Sequence, residues 1–406
     1  MAKELPRFTV RLFPVPKIKE SLHGDVGDWP ILGLGLRERQ ERAILWAGGS
    51  WAAKGEAAQV WIREDAFVSE DALKLFVQLL HKKEQRDVPM YWNPVGDLGT
   101  LQSRVMFEHV VPLLYWMPQA TSEPDFTAAE PFDVEPKYHP FQLEVPKEQF
   151  GVDVITIPLT DYVVVPTLHW LQLLWANFIG LGPFLWREVG GRNAGWIAWR
   201  VMLSFFRTWS FRPLRLALGV RRIGKKCNIH PTAVVEASWI GDHVQIGAHA
   251  VVRGSVVADG ARIEDLAMVE CSILDEAVIV QRQAMVKFSL LRRRSSVGGV
   301  IQMGVMDTAS SLKRGAYLMD MSLGDTQTKV QVDGELKEAP IGIAGCFVGS
   351  NTQIGLGVQV APGRTIPSDI VVTAAPSSVL RKIPFLEPTE ESLQLYVSEG
   401  TLHRHG

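Results

Sequence analysis

Cysteine is scarce in this sequence: three in 406 residues, Cys227, Cys271 and Cys346, with no CxxC pair. An odd number without paired spacing argues against a disulfide-stapled fold and reads as reduced thiols in a cytoplasmic protein. An excess of either charge is also missing. With 42 Lys and Arg against 44 Asp and Glu the formal charge is −2, which excludes a general nucleic-acid binder. Met1-Ala2-Lys3-Glu4 opens no apolar h-region, so no secretory signal is expected. No clean transmembrane run is present: the most apolar stretch, Thr167–Trp186, carries His169, Gln172, Asn177 and Pro183. Hydrophobic residues at 47% and charged residues at 21% fit a soluble or peripherally bound protein with two or three cored domains.

What is there is a period. Ile223, Ile240, Val257, Leu274 and Leu291 recur every seventeen positions; so do Ile229, Ile246, Ile263 and Val280, and Val235, Val252, Val269 and Val286. Within each period the aliphatics sit six, six and five apart. Helices repeat every 3.6 residues and strands every two, so neither explains three such files. A hexapeptide β-helix does: each short strand points one aliphatic into a triangular prism, and stacked coils bury one another. Ile240-Gly241-Asp242, Ile246-Gly247-Ala248 and Asp259-Gly260-Ala261 supply corners suited to glycine. The register fails between Val300 and Ile341 and resumes at Val348, Ile354, Val360 and Ile366, so an insertion at 301–341 is expected. Inside it, Thr328–Leu336 with Asp333-Gly334 at its centre is a hairpin signature.

From Ile223 through Val372, minus that insertion, the sequence resembles the hexapeptide-repeat transferases. The resemblance implies a left-handed parallel β-helix that assembles as a homotrimer. The Lys329 hairpin is similar to an insertion in archaeal-type sugar-1-phosphate nucleotidyl- and acetyltransferases. Cys346-Phe347-Val348-Gly349-Ser350 is similar to a coil of the uridyltransferase that also acetylates glucosamine phosphate.

Residues 1–160 read as an α/β domain. Strands are expected at Phe8–Leu12, Gln59–Ile62 and Val88–Trp92, and helices at Leu36–Trp46 and after Ser69, an alternation that favours a parallel three-layer sheet. Trp29-Pro30-Ile31-Leu32 with the following helix, and Gln59–Asp65, are similar to the N-terminal half of sugar-1-phosphate nucleotidyltransferases. That resemblance implies a metal-binding aspartate, here Asp65, holding Mg²⁺. It also implies a GxGTR phosphate loop, where this chain instead has Phe13-Pro14-Val15-Pro16-Lys17. Two prolines and no glycine cannot line N–H groups against a triphosphate. Lys17 and Lys19 are candidate phosphate ligands or solvated surface charges. Asp65 is a metal ligand or a loop acid beside Arg63.

The proline-rich, acidic 118–148 segment reads as an extended linker or lid. Residues 161–222 form a helical connector holding Trp170, Trp175, Trp186, Trp196, Trp199 and Trp209, with Arg200, Arg207, Arg212 and Arg215 in its second part. Over 167–218 this is either a peripheral membrane surface, on the inner face of the membrane, or a hairpin packed between domains. The tail 376–406 is expected to end in a capping helix over the 223–375 prism.

Three functions remain open. The first is a sugar-nucleotide transferase in cell-envelope polysaccharide or lipid assembly, taking a sugar phosphate or nucleotide with Mg²⁺ at Asp65. The second is an acyltransferase using acyl-CoA, with His243 or His249 as general base. Those histidines lie six apart, on adjacent faces of one coil rather than converging, which is the placement of solvated corner residues. Arg292-Arg293-Arg294 is a candidate phosphate-binding corner for coenzyme A, a nucleotide or a lipid headgroup, or a solvated cationic corner. The third is a non-catalytic scaffold for a membrane or partner.

Overall fold

A computed structural model describes residues 7–16, 22, 24–53, 55–82, 88–96, 112–135, 137–144, 154–185, 202, 221–321, 328–339, 343–375, 395–398 and 401–404. The amino-terminal part is built on a six-stranded sheet in the order Ser50–Trp51, Thr9–Phe13, Ala58–Arg63, Leu114–Thr121, Met90–Pro94, Glu130–Val134. Helices α1 (Leu36–Trp46) and α2 (Glu70–Lys82) form a core with it through Ile44, Ala43, Leu73, Phe76 and Leu80. Ser69 begins α2 as expected, its hydroxyl accepting the Ala72 N–H at 3.4 Å. Phe13, Trp61, Tyr115 and Phe126 form a separate aromatic cluster.

The sheet is mixed, and this corrects the all-parallel expectation. Leu114–Thr121 runs antiparallel to both of its neighbours. The expected linker is also partly structured. Pro118 falls where the pairing register shifts by a bulge, and Pro131 lies on the edge strand, the two places a sheet tolerates proline. His139–Glu144 pairs antiparallel with Val154–Leu159.

From Arg222 to Val372 the chain forms three parallel sheets of eight, eight and seven strands, a parallel β-helix. The three files of aliphatics point inward and make one core, from Val235 and Ile240 to Ile354 and Ile366. Successive coils pair in register, for example Ile240↔Val257↔Leu274↔Leu291. Every corner column turns through left-handed backbone: His243 (φ 58°), Ala277 (55°) and Arg294 (59°) on one, His249 (55°), Leu266 (61°) and Gln283 (63°) on another. At the third corner a buried serine ladder locks the coils. Ser255, Ser272 and Ser289 each donate their N–H to the serine hydroxyl one coil below, at 3.1–3.2 Å.

The insertion is shorter than the register implied. Strands Val300–Gln302, Val305–Met306, Ser311–Leu312 and Tyr317–Leu318 continue the coils. The interruption is a corner two residues short at Gly298-Gly299, so Met285 pairs with Val300, fifteen positions on, instead of seventeen. A Cβ on Gly299 would collide with the Ala316 carbonyl, which is why glycine makes the shortened turn. The chain leaves the prism only between Leu318 and Phe347. Within that excursion Lys329–Val332 and Glu335–Glu338 form the expected hairpin. In the tail, Leu395–Ser398 and Thr401–Arg404 pair as an antiparallel hairpin, a Leu-Tyr-Val and Thr-Leu-His pattern around Glu399-Gly400 that suits strands. Residues 376–394, where the rest of the capping segment falls, lie outside the described residues.

Helix α3 (Trp170–Leu185) joins the two halves. It is buried nearly all round, touching Trp29, Leu32 and Phe67 on one side and Val256, Ile273, Leu290, Val305 and Phe347 on the other. Trp170 stacks on Phe347 (centroids 6.5 Å apart, 18° between planes) and Phe178 on Phe288 (5.1 Å, 28°). The first half of the connector is thus internal packing. Among the described residues no helix is long and apolar enough to cross a membrane. The second half, with Trp186, Trp196, Trp199, Trp209 and the four connector arginines, lies outside the described residues.

Candidate functional site

Asp65 sits where an α/β sheet places its ligands, just past the carboxyl end of Ala58–Arg63 and beside Thr9–Phe13. Its carboxylate is already engaged. The Arg63 guanidinium binds both oxygens, Nε to Oδ1 and Nη2 to Oδ2, the latter at 2.8 Å. The Asp65 side chain is wholly buried and that of Arg63 is 11% exposed. The turn is closed from both sides. Thr167 donates its N–H and hydroxyl to the Asp65 carbonyl at 3.0 and 2.7 Å, and Gln40 of α1 donates to the carbonyls of Glu64 and Ala66. Glu64, the next acid, accepts the Val15 N–H at 2.9 Å, so the loop that replaces the phosphate cradle is pinned against this turn.

These residues do not fit a magnesium ion. A hard cation needs oxygen ligands with free lone pairs in near-octahedral array. Here both carboxylate oxygens face a fixed cation, and no group of three or more His, Cys, Asp or Glu side chains able to hold a metal occurs among the described residues. Lys17 and Lys19 lie outside the described residues.

On the prism, His243 and His249 are exposed and occupy two different corners. Each takes its place through backbone bonds: His243 N–H donates to the Lys225 carbonyl at 2.9 Å, and His249 N–H to the Thr232 hydroxyl at 3.0 Å. Both are left-handed, the conformation that accounts for Asn, Gly or His at such corners. The two imidazoles do not form a shared site. The Arg292–Arg294 run also separates. Arg292 is buried and its Nη1 donates to buried Asp307 at 2.8 Å, one coil on. Arg293 reaches toward Asp275, 3.8 Å away, and Arg294 is exposed. A single guanidinium, with a neighbour committed elsewhere, is not a phosphate clamp.

Two of the three thiols, Cys271 and Cys346, are held in the protonated form by burial. Burial pushes Cys271 up to about 11 and Cys346 up to about 12, far from the depressed values of reactive cysteines.

The arrangement that sequence reasoning missed is the outward face of the first prism sheet. Trp239, Val256, Ile273, Leu290, Val305 and Phe347 each precede an inward aliphatic, and all but Trp239 are fully buried. A face apolar on both sides must be covered, and that signal was present in the sequence. The N-terminus of α3 lands there through a capping box. His169 Nδ1 accepts the Leu171 N–H at 3.0 Å, while Gln172 Oε1 accepts the His169 N–H at 3.1 Å. His169 Nε2 then donates to the Gln331 carbonyl of the excursion hairpin at 2.9 Å.

No family model matches the chain, and no curated protein matches it significantly.

Proposed function

We propose that this chain is a non-catalytic scaffold with the architecture of the sugar-nucleotide and hexapeptide-repeat transferases: a nucleotidyltransferase-like domain set on a left-handed β-helix. It serves cell-envelope polysaccharide or lipid assembly by presenting a rigid surface to partners, from the cytoplasmic side. The observation that carries the reading is the bidentate Arg63–Asp65 pair. It occupies the carboxylate that a magnesium-dependent nucleotidyl transfer would use, in a turn braced by Thr167 and Gln40. A buried ion pair of this kind is a structural element, because uncoupling it would leave a charge without water or counterion. His243 and His249, the candidate bases for acyl transfer, are set by left-handed backbone at two different corners of the prism.

The test is incubation of the full chain with nucleoside triphosphates, sugar phosphates and Mg²⁺, scored by pyrophosphate release, and in parallel with acyl-CoA, scored by free thiol. No release above buffer is expected in either assay. Pyrophosphate formed by the wild-type protein would overturn the reading in favour of the nucleotidyltransferase. Thiol release abolished by His243→Asn or His249→Asn would overturn it in favour of the acyltransferase.

A further inference from the structure

The three faces of the prism are chemically different. The first is covered by α3. The second presents Gln245, Arg262, Ser296, Ser311 and Gln353 outward, together with Ile279 and Val371, a mixed and mostly polar surface. Among the described residues no core cluster packs on the third, which is organised in two files because its three-residue strands turn the central side chain inward and the flanking two outward. One outward file is apolar: Val234, Val251, Met268, Met285, Val300 and Tyr317, all half-buried. The other alternates in sign: Glu236, Arg253, Glu270, Lys287. Neighbours in it pair along the stack at 2.9, 3.3 and 3.1 Å.

From this face we infer that two copies of the chain dock third face to third face, antiparallel, about a two-fold axis that passes between the Arg253 and Glu270 coils. The reason is the order of the charges. Read upward the file is minus, plus, minus, plus; read downward it is plus, minus, plus, minus. Reversing one copy therefore sets Glu236 opposite Lys287 and Arg253 opposite Glu270, twice each, with no like pair in contact. The same operation lays the apolar files on each other, Val234 against Met285 and Val251 against Met268. A two-fold axis along the prism would instead put the apolar file of one copy against the charged file of the other, desolvating charges without partners. A flat, half-buried apolar stripe rimmed by ordered charges is the composition of a protein–protein contact. The pairing goes beyond the scaffold reading and stands or falls apart from it, since it concerns mass in solution and not turnover.

The experiment is sedimentation of the full chain over a concentration series, with the fold of each variant followed by circular dichroism. Wild type is expected to approach twice the 45.2 kDa chain mass. Arg253→Glu sets Glu against Glu at both sides of the axis and should raise the dimer dissociation constant about 100-fold. Combining it with Glu270→Arg restores opposite charges across the axis while placing like charges next to each other within each chain. Dimerisation should return in the double variant. Met268→Lys, on the half-buried outward file, should dissociate the dimer with the spectrum unchanged. The inference is overturned by a wild type that stays monomeric, by the homotrimer that the family resemblance implies, or by a double variant no better than Arg253→Glu.

Discussion

His169 and Gln331 lie 162 positions apart and share one hydrogen bond, the imidazole Nε2 donating to the carbonyl at 2.9 Å. Because the other ring nitrogen accepts the Leu171 N–H, the ring is neutral with its proton on Nε2. One side chain thus caps α3 and ties it to the hairpin that leaves the prism.

This predicts a stability that depends on pH. Burial pushes His169 down from its usual 6.5 to about 4, with the Gln331 carbonyl partly opposing. The unfolded chain takes up the proton near 6.5 and the folded chain only near 4. The contribution is therefore complete above about pH 6.5 and is lost as pH falls toward 4, by about 3 kcal/mol. Denaturant midpoints between pH 4 and 7, compared with those of His169→Asn, should show a shallower slope in the variant. Equal slopes would refute the assignment.

Removing Arg63 strands a buried carboxylate. Arg63→Ala should cost about 3–5 kcal/mol in unfolding free energy, and replacing both partners by apolar residues (Arg63→Met with Asp65→Leu) should recover most of it. A loss below about 1 kcal/mol in the single variant would mean that the pair is solvated.

Two corner glycines should behave in opposite ways. Gly299→Ala drives a Cβ into the Ala316 carbonyl and should destabilise by more than about 3 kcal/mol or prevent folding. Gly260 is left-handed at φ 68° with open space around the missing Cβ, so Gly260→Asn should stay within about 1 kcal/mol of wild type. Thermal unfolding of the two proteins side by side decides it.

Trp170 is fully buried against Phe347. Trp170→Ala should destabilise by about 3–5 kcal/mol through the cavity it leaves. Limited proteolysis should then cut near the Lys329–Glu338 hairpin, which rests on the same helix end. Unchanged proteolysis would show that the helix and hairpin are held independently.

Much of this was legible in the chain. Ile240, Val257, Leu274 and Leu291 announce the prism because stacked coils leave one inward position per strand, and only an aliphatic satisfies it. His243 and His249 were readable as corners for the same reason. The coils from Val300 to Leu318 were hidden by two residues missing at Gly298-Gly299, since a periodic pattern read by counting fails at the first deletion while backbone pairing does not. Asp65 shows the same limit at a site. Its position past a strand end was visible, and so was Arg63 two residues before it. Whether that arginine turned outward or folded back could not be read from spacing.

The sequence alone determined the β-helix, the α/β character of the first domain and the hairpin at Asp333-Gly334, because each rests on contacts between residues at a fixed spacing along the chain. Tertiary structure alone decided that α3 is buried between the two halves, that Asp65 is closed by Arg63, Thr167 and Gln40, and that α3 covers one particular face of the prism. Those outcomes depend on which surfaces meet across more than a hundred residues, and periodicity along the chain carries no information about which partner a surface will find.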